Sequence, residues 1–147
     1  MAKAPAVSKI IYVPILKTKA GERWALSHLK PKTRLSVRPL LEIHPHKTKD
    51  DSTHISELCE ELQTAWGTDR LFYLDAIWLH GDSGNPSTLA SVFAAASAYD
   101  LRALPVIRPT FNKASLEQAS EIIEEIGKGY LLRVPVTCTP ESARNGI

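Results

Sequence analysis

The chain has 147 residues, is 44% hydrophobic and 23% charged, and carries a formal net charge of +2. That length suffices for one domain with a real core, and so small a charge gives no ground for a nucleic-acid partner. No apolar run approaches the roughly 18 residues that mark a membrane span, and the lysines near Met1 are not followed by the apolar core of a secretory signal, so a cytoplasmic protein is expected.

Strand and helix signals alternate along the chain. Ile10 to Leu16 is rich in β-formers and ends at Lys17. Gly21 to Leu29 fits a short helix with Trp24, Ala25 and Leu29 on one face, ended by Pro31. Leu35 to Ile43 is the second strand, followed by a polar loop from His44 to Asp51. Thr53 is placed to cap the next helix, where Ile55, Leu58, Cys59, Leu62 and Trp66 share an apolar face up to Gly67. Leu71 to Leu79 is a third strand broken only by Asp75, an apolar run suited to burial on both faces. After the turn Gly81 to Asn85, Asn85 and Pro86 make a helix start, with Leu89, Val92, Phe93 and Ala96 facing inward. Leu104 to Ile107 is the fourth strand. Ser115 and Gln118 read as a capping box, and Leu116, Ala119, Ile122, Ile123 and Ile126 as the stripe of a last helix stopped by Gly127. Tyr130 to Val136 is the fifth strand, and 137–147 reads as a loop.

The order β-α-β-α-β-α-β-α-β predicts an α/β fold of βα repeats with parallel strands and right-handed crossovers. Four βα units plus one strand form a single domain over 1–147. A closed (β/α)8 barrel needs about 250 residues, so the expectation is half of a TIM-like barrel or an open parallel sheet. Prolines inside the strands conflict with this reading, because proline lacks a ladder donor. They are taken to mark bulges or amides that would have had no partner.

A short pattern recurs at the strand ends: Pro14-Ile15-Leu16-Lys17, Pro39-Leu40-Leu41-Glu42 and Pro105-Val106-Ile107-Arg108, with a degraded copy at Pro135-Val136-Thr137-Cys138. The carboxyl ends of parallel strands are where α/β proteins place their chemistry. Lys17 and Glu42, with Asp75 inside the third strand, are therefore the candidate catalytic residues. Arg108, Arg133 and His80 are the candidate ligand-binding residues. Such a cluster is suited to holding an anionic group, such as the phosphate of a small molecule, and to acid–base chemistry. The bland alternative is a set of structural ion pairs.

Other features carry less. His44, His46 and His54 match no standard metal spacing, so a solvated loop and no metal are expected. Gly81 to Asn85 lacks the residues of a P-loop or a dinucleotide fingerprint, and no cofactor is implied. Cys59 and Cys138 form no disulfide framework. The basic turn Lys30-Pro31-Lys32-Thr33-Arg34 enters the amino end of the second strand and offers a weak phosphate contact.

The segments Tyr12-Val13-Pro14-Ile15-Leu16-Lys17-Thr18-Lys19-Ala20-Gly21-Glu22, Ala25-Leu26 and Arg38-Pro39-Leu40-Leu41-Glu42-Ile43 resemble the amino-terminal region of the beta-protein family of bacteriophages and bacterial mobile elements. The resemblance implies a barrel-like α/β protein linked to phage biology, in defence or exclusion between phages. It supplies no catalytic residues beyond the motif positions Lys17, Glu22 and Glu42. Relatives look long enough for a whole barrel, which sets this chain apart from them.

Two functions follow. One is an anion-binding, catalytic mouth at the carboxyl ends of the strands. The alternative is a non-catalytic interaction module. An open parallel sheet leaves unpaired edges, which favours a homo-oligomer or a partner protein that completes the sheet.

Overall fold

The structure is a computed structural model and describes residues 9, 10 and 12–136; the expectations for Cys138 and for 137–147 lie outside the described residues. Five short strands form one parallel sheet: β1 (Ile15–Lys17), β2 (Leu40–Glu42), β3 (Phe72–Asp75), β4 (Ala103–Ile107) and β5 (Leu131–Leu132). Between them run α1 (Ala20–Ser27), α2 (Pro31–Arg34), α3 (Asp51–Ala65), α4 (Ile77–His80), α5 (Pro86–Ala98) and α6 (Lys113–Ile126). The strands lie in chain order, β1-β2-β3-β4-β5, all parallel. A doubly wound sheet reverses its strand order at a switch point. This one never reverses, so its right-handed crossovers leave the helices on one side.

That side holds the core. Leu41, Ile43, Phe72, Leu74 and Ala103 pack against Ile55, Leu58 and Leu62 from α3, Trp66 just after it, Val92 and Phe93 from α5, and Ile122 from α6. Alternation along each strand sends the intervening residues to the opposite, helix-free face. The pairing Leu40↔Tyr73↔Leu104 sets its middle tier, and Lys17↔Glu42↔Asp75 its carboxyl-terminal tier.

Several boundaries differ from the sequence reading, each for a local reason. Pro31 does not merely end a helix; it sits in the first turn of α2, where its missing N–H costs nothing. The cap of α3 is Asp50, whose carboxylate accepts from Thr53 N at 2.9 Å, so Thr53 donates to the cap rather than being it. In the same way Asn112, not Ser115, caps α6, accepting from Ser115 N at 2.8 Å. Leu116 is exposed, and Ser115 takes its place on the buried face. Asn85 caps α5 as expected.

The third strand is shorter than the apolar run. Asp75 Oδ1 accepts from Ile77 N at 3.0 Å. A side-chain carboxylate bonding backbone two residues on starts a turn, so the chain leaves the sheet into α4 at that point. The prolines fit the ladder without bulges. Pro14 and Pro39 lie just before β1 and β2 and contribute only carbonyls, to Leu40 N and Tyr73 N, at 2.8 Å each. Pro105 lies inside β4 in register with Leu74 of β3, and the β5 ladder begins only opposite Val106, one residue on.

Candidate functional site: an ion-pair cluster at the carboxyl ends of the strands

Four of the six candidate residues converge on one network. Glu42 ends β2 and Asp75 ends β3, side by side in register. Arg108 follows β4 and Arg133 follows β5. Arg133 Nη1 donates to Glu42 Oε1 at 2.6 Å and to Asp75 Oδ2 at 2.9 Å. Arg108 Nη2 donates to the same Asp75 Oδ2 at 2.8 Å. The Asp75 and Arg108 side chains are 1% and 7% exposed, so this pair is shielded from water. Buried charges need partners, and both Asp75 oxygens have them: the two guanidiniums on Oδ2 and the Ile77 amide on Oδ1.

Two residues not singled out as candidates complete the cluster. Trp78 on α4 donates its indole N–H to Glu42 Oε2 at 3.1 Å. His44 stacks on Trp78 with ring centroids 5.1 Å apart. Its Nε2 lies 3.7 Å from Glu42 Oε2, too far for a hydrogen bond. Trp78 escaped notice because the apolar run through Leu79 read as strand. The signal that marks it is Asp75 two residues before Ile77, a turn former inside an apolar run. His44 looked like part of a solvated loop; its carbonyl accepts from His54 Nε2 at 2.8 Å if that nitrogen carries the proton, which anchors the loop onto α3.

The electrostatics follow. Burial alone would raise the Glu42 pKa, but the hydrogen bonds from Arg133 and Trp78 and the nearby positive charge of Arg133 outweigh it, so the carboxyl lies below its ordinary range. Burial likewise works against the Arg133 charge, and the two carboxylates more than compensate, raising its pKa. Both groups are held ionised.

The remaining two candidates stand apart. Lys17 is exposed and, among the described residues, makes no ion pair, although its register places it beside Glu42. The next residue, Thr18, holds this corner: its N and Oγ1 both donate to Glu42 O, at 3.1 Å each. His80 ends α4 and meets the Phe111 ring edge-on at 5.4 Å, with Nδ1 2.7 Å from Gly81 O. Burial lowers its pKa, opposed in part by that carbonyl and by Asp75. It adjoins the network without bonding to it. Glu22, the third motif position, makes no side-chain hydrogen bond or ion pair among the described residues; Cys59 is buried, and burial pushes its thiol up to about 11.

A singly wound parallel sheet, helices on one face and a carboxylate–arginine cluster at the strand ends, defines an α/β protein of βα repeats. Within that class the Beta protein family profile matches residues 12–147, and the chain belongs to that family. No match was found among curated proteins or among solved structures. No helix among the described residues is long and apolar enough to cross a membrane.

Proposed function

We propose that this beta-family protein acts in phage biology, in defence or exclusion, and that its strand mouth binds a small anionic group such as a phosphate. The observation that carries the binding site is the charge balance. Lys17, Arg108 and Arg133 face two carboxylates, Glu42 and Asp75, and Lys17 has no partner among the described residues. One positive charge is left over beside a pre-formed network, and an anion that reaches it pays no rearrangement of that network. Glu42 is a poor general base because its charged form is already held by Arg133 and Trp78, so binding is favoured over proton transfer. Inorganic phosphate should raise the melting temperature in a saturable way, and Lys17→Ala should abolish the rise. A rise that survives Lys17→Ala, or no rise at all, rules the mouth out. Challenging cells that express the protein with a phage panel tests the biological role; plating efficiency equal to the empty vector for every phage would refute it.

The second reading is self-association through the sheet edges. Tyr12, Val13 and Ile15 are exposed at the β1 edge, and Tyr130, Leu132 and Val134 at the β5 edge. Apolar residues on unpaired edges favour strand addition. Light scattering at increasing concentration decides it: a monomer throughout counts against this reading.

A further inference from the structure

The amino ends of the same strands hold a second charged region that the mouth does not use. A cavity of about 280 Å³ is lined there by Arg34, Arg38, Arg70 and Arg102, with Asp69 and Leu71 among its other walls. Four arginines therefore line one small space with a single acidic residue. Among the described residues, none of the four lies within ion-pairing distance of any carboxylate, Asp69 included.

The arginines are held instead by neutral acceptors. Arg34 Nη2 donates to the carbonyls of Ala65 and Trp66 at 2.8 and 2.9 Å, at the carboxyl end of α3, and its guanidinium lies 5.0 Å from the centre of the Trp66 ring. Its Nε is buried without a partner. Arg38 lies over Tyr73 at 5.7 Å and donates to its hydroxyl at 3.3 Å. Arg102 Nη1 donates to Asp69 O at 3.1 Å. Arg70 has no side-chain hydrogen bond among the described residues. By alternation Arg38 and Arg102 lie one tier below Leu40 and Leu104, on the helix-free face. Three of the four side chains are thus fixed in place while their charges remain unneutralised.

We propose that this cavity binds linked phosphates, a diphosphate-sized group at minimum. Guanidinium forks match phosphate oxygens bidentately, and positions fixed in advance reduce the ordering cost of binding. Ligand pockets span about 300 to 1,000 Å³, so about 280 Å³ takes a diphosphate with the rest of the molecule outside. Repulsion among four like charges at one site falls when a polyanion enters, whereas a single carboxylate would leave most of it in place. The exposed Lys30 and Lys32 beside Arg34 extend the positive surface.

The test uses inorganic pyrophosphate with the full chain, read by calorimetry and by melting temperature. Saturable binding that weakens about tenfold or more in Arg70→Gln and in Arg102→Gln, as expected for loss of a charged hydrogen-bonding partner, and that is unchanged in Lys17→Ala, supports the proposal. Both arginine variants fold if their far-ultraviolet dichroism matches wild type, since neither side chain packs in the core. Competition then identifies the source. Displacement of pyrophosphate by a single-stranded oligonucleotide with strong salt dependence assigns a nucleic-acid backbone, and displacement by a nucleoside diphosphate alone assigns a nucleotide. Absence of binding at millimolar pyrophosphate, or binding retained in both arginine variants, overturns the proposal. Binding lost only in Lys17→Ala overturns it too, and places the phosphate at the mouth.

Discussion

The two ends of one sheet handle charge in opposite ways. At the carboxyl ends, Arg108 and Arg133 are each matched to a carboxylate at 2.6–2.9 Å, and both carboxylates are further held by Trp78 or a backbone amide. At the amino ends, Arg34, Arg38 and Arg102 bond carbonyls and a hydroxyl, and their charge stays unmatched. A matched buried pair is costly to break and gives little to a ligand. An unmatched, water-accessible cluster contributes little to folding and remains available for binding. The contrast predicts that mutations of the matched residues Glu42, Asp75, Arg108 and Arg133 act on stability, and those of the unmatched Lys17 and the amino-end arginines on binding.

The largest expected effect comes from Arg108→Ala. It leaves Asp75, the most deeply buried carboxylate, without one of its two cations, and breaking such a pair costs about 3–5 kcal/mol. Arg133 stays within 2.9 Å and should hold the loss toward the lower figure. Urea denaturation measures it, and a loss under about 1 kcal/mol would mean that the mouth is no more structural than a surface pair.

Trp78→Phe should cost less. It leaves a smaller aromatic ring to stack on His44 and removes the N–H to the Glu42 carboxylate, a loss of about 1.5 kcal/mol, the low end for a bond to a charged group because the ring is half-exposed. A larger loss would assign Trp78 a packing role despite its exposed ring.

The pH response sharpens the same contrast. Glu42 has a lowered pKa in the folded chain, so its contribution is complete above the ordinary carboxyl value of about 4.3 and is lost as pH falls below it. His80 is also lowered, by burial, so the unfolded chain takes up its proton first and stability falls as pH drops below about 6.5. His80→Gln should flatten the melting-temperature profile below about pH 6.5. A profile unchanged by that substitution would show that the upper step belongs to another group.

What the sequence revealed depended on how local the signal was. The βα rhythm, the Asn85–Pro86 helix start and the Gly127 stop rest on adjacent residues, and all were legible. So was the shared position of Glu42 and Arg108, because alternation fixes a face within any strand. The partners of these groups were not legible: Arg133 reaches Glu42 across 91 residues of sequence and across two intervening strands, β3 and β4, which no local pattern announces. Trp78 was hidden by a competing reading, since an apolar run signals a strand whether or not an aspartate within it turns the chain. The caps shifted by three residues for a related reason. Asp50 and Asn112 are each followed three residues later by a Thr or Ser that also makes a good cap, and only the backbone angle separates them. The arginines of the amino ends are scattered over 34–102 and become one cluster only through the sheet register.

Arg102→Gln should move stability least, by no more than about 0.5 kcal/mol, because the side chain is exposed and bonds a carbonyl that water can also satisfy. Its sign is informative. Removing one of several neighbouring cations relieves repulsion, which opposes the small loss of the hydrogen bond. At low ionic strength the relief is largest, and salt screens it over a Debye length of about 8–10 Å near physiological strength. The variant should therefore be relatively more stable than wild type at low salt than at high salt, as measured by paired urea titrations. Arg108→Ala should show little salt dependence, because its pair is shielded from solvent. If both variants respond to salt alike, the amino-end arginines are not an unneutralised cluster, and the contrast between the two ends of the sheet fails there.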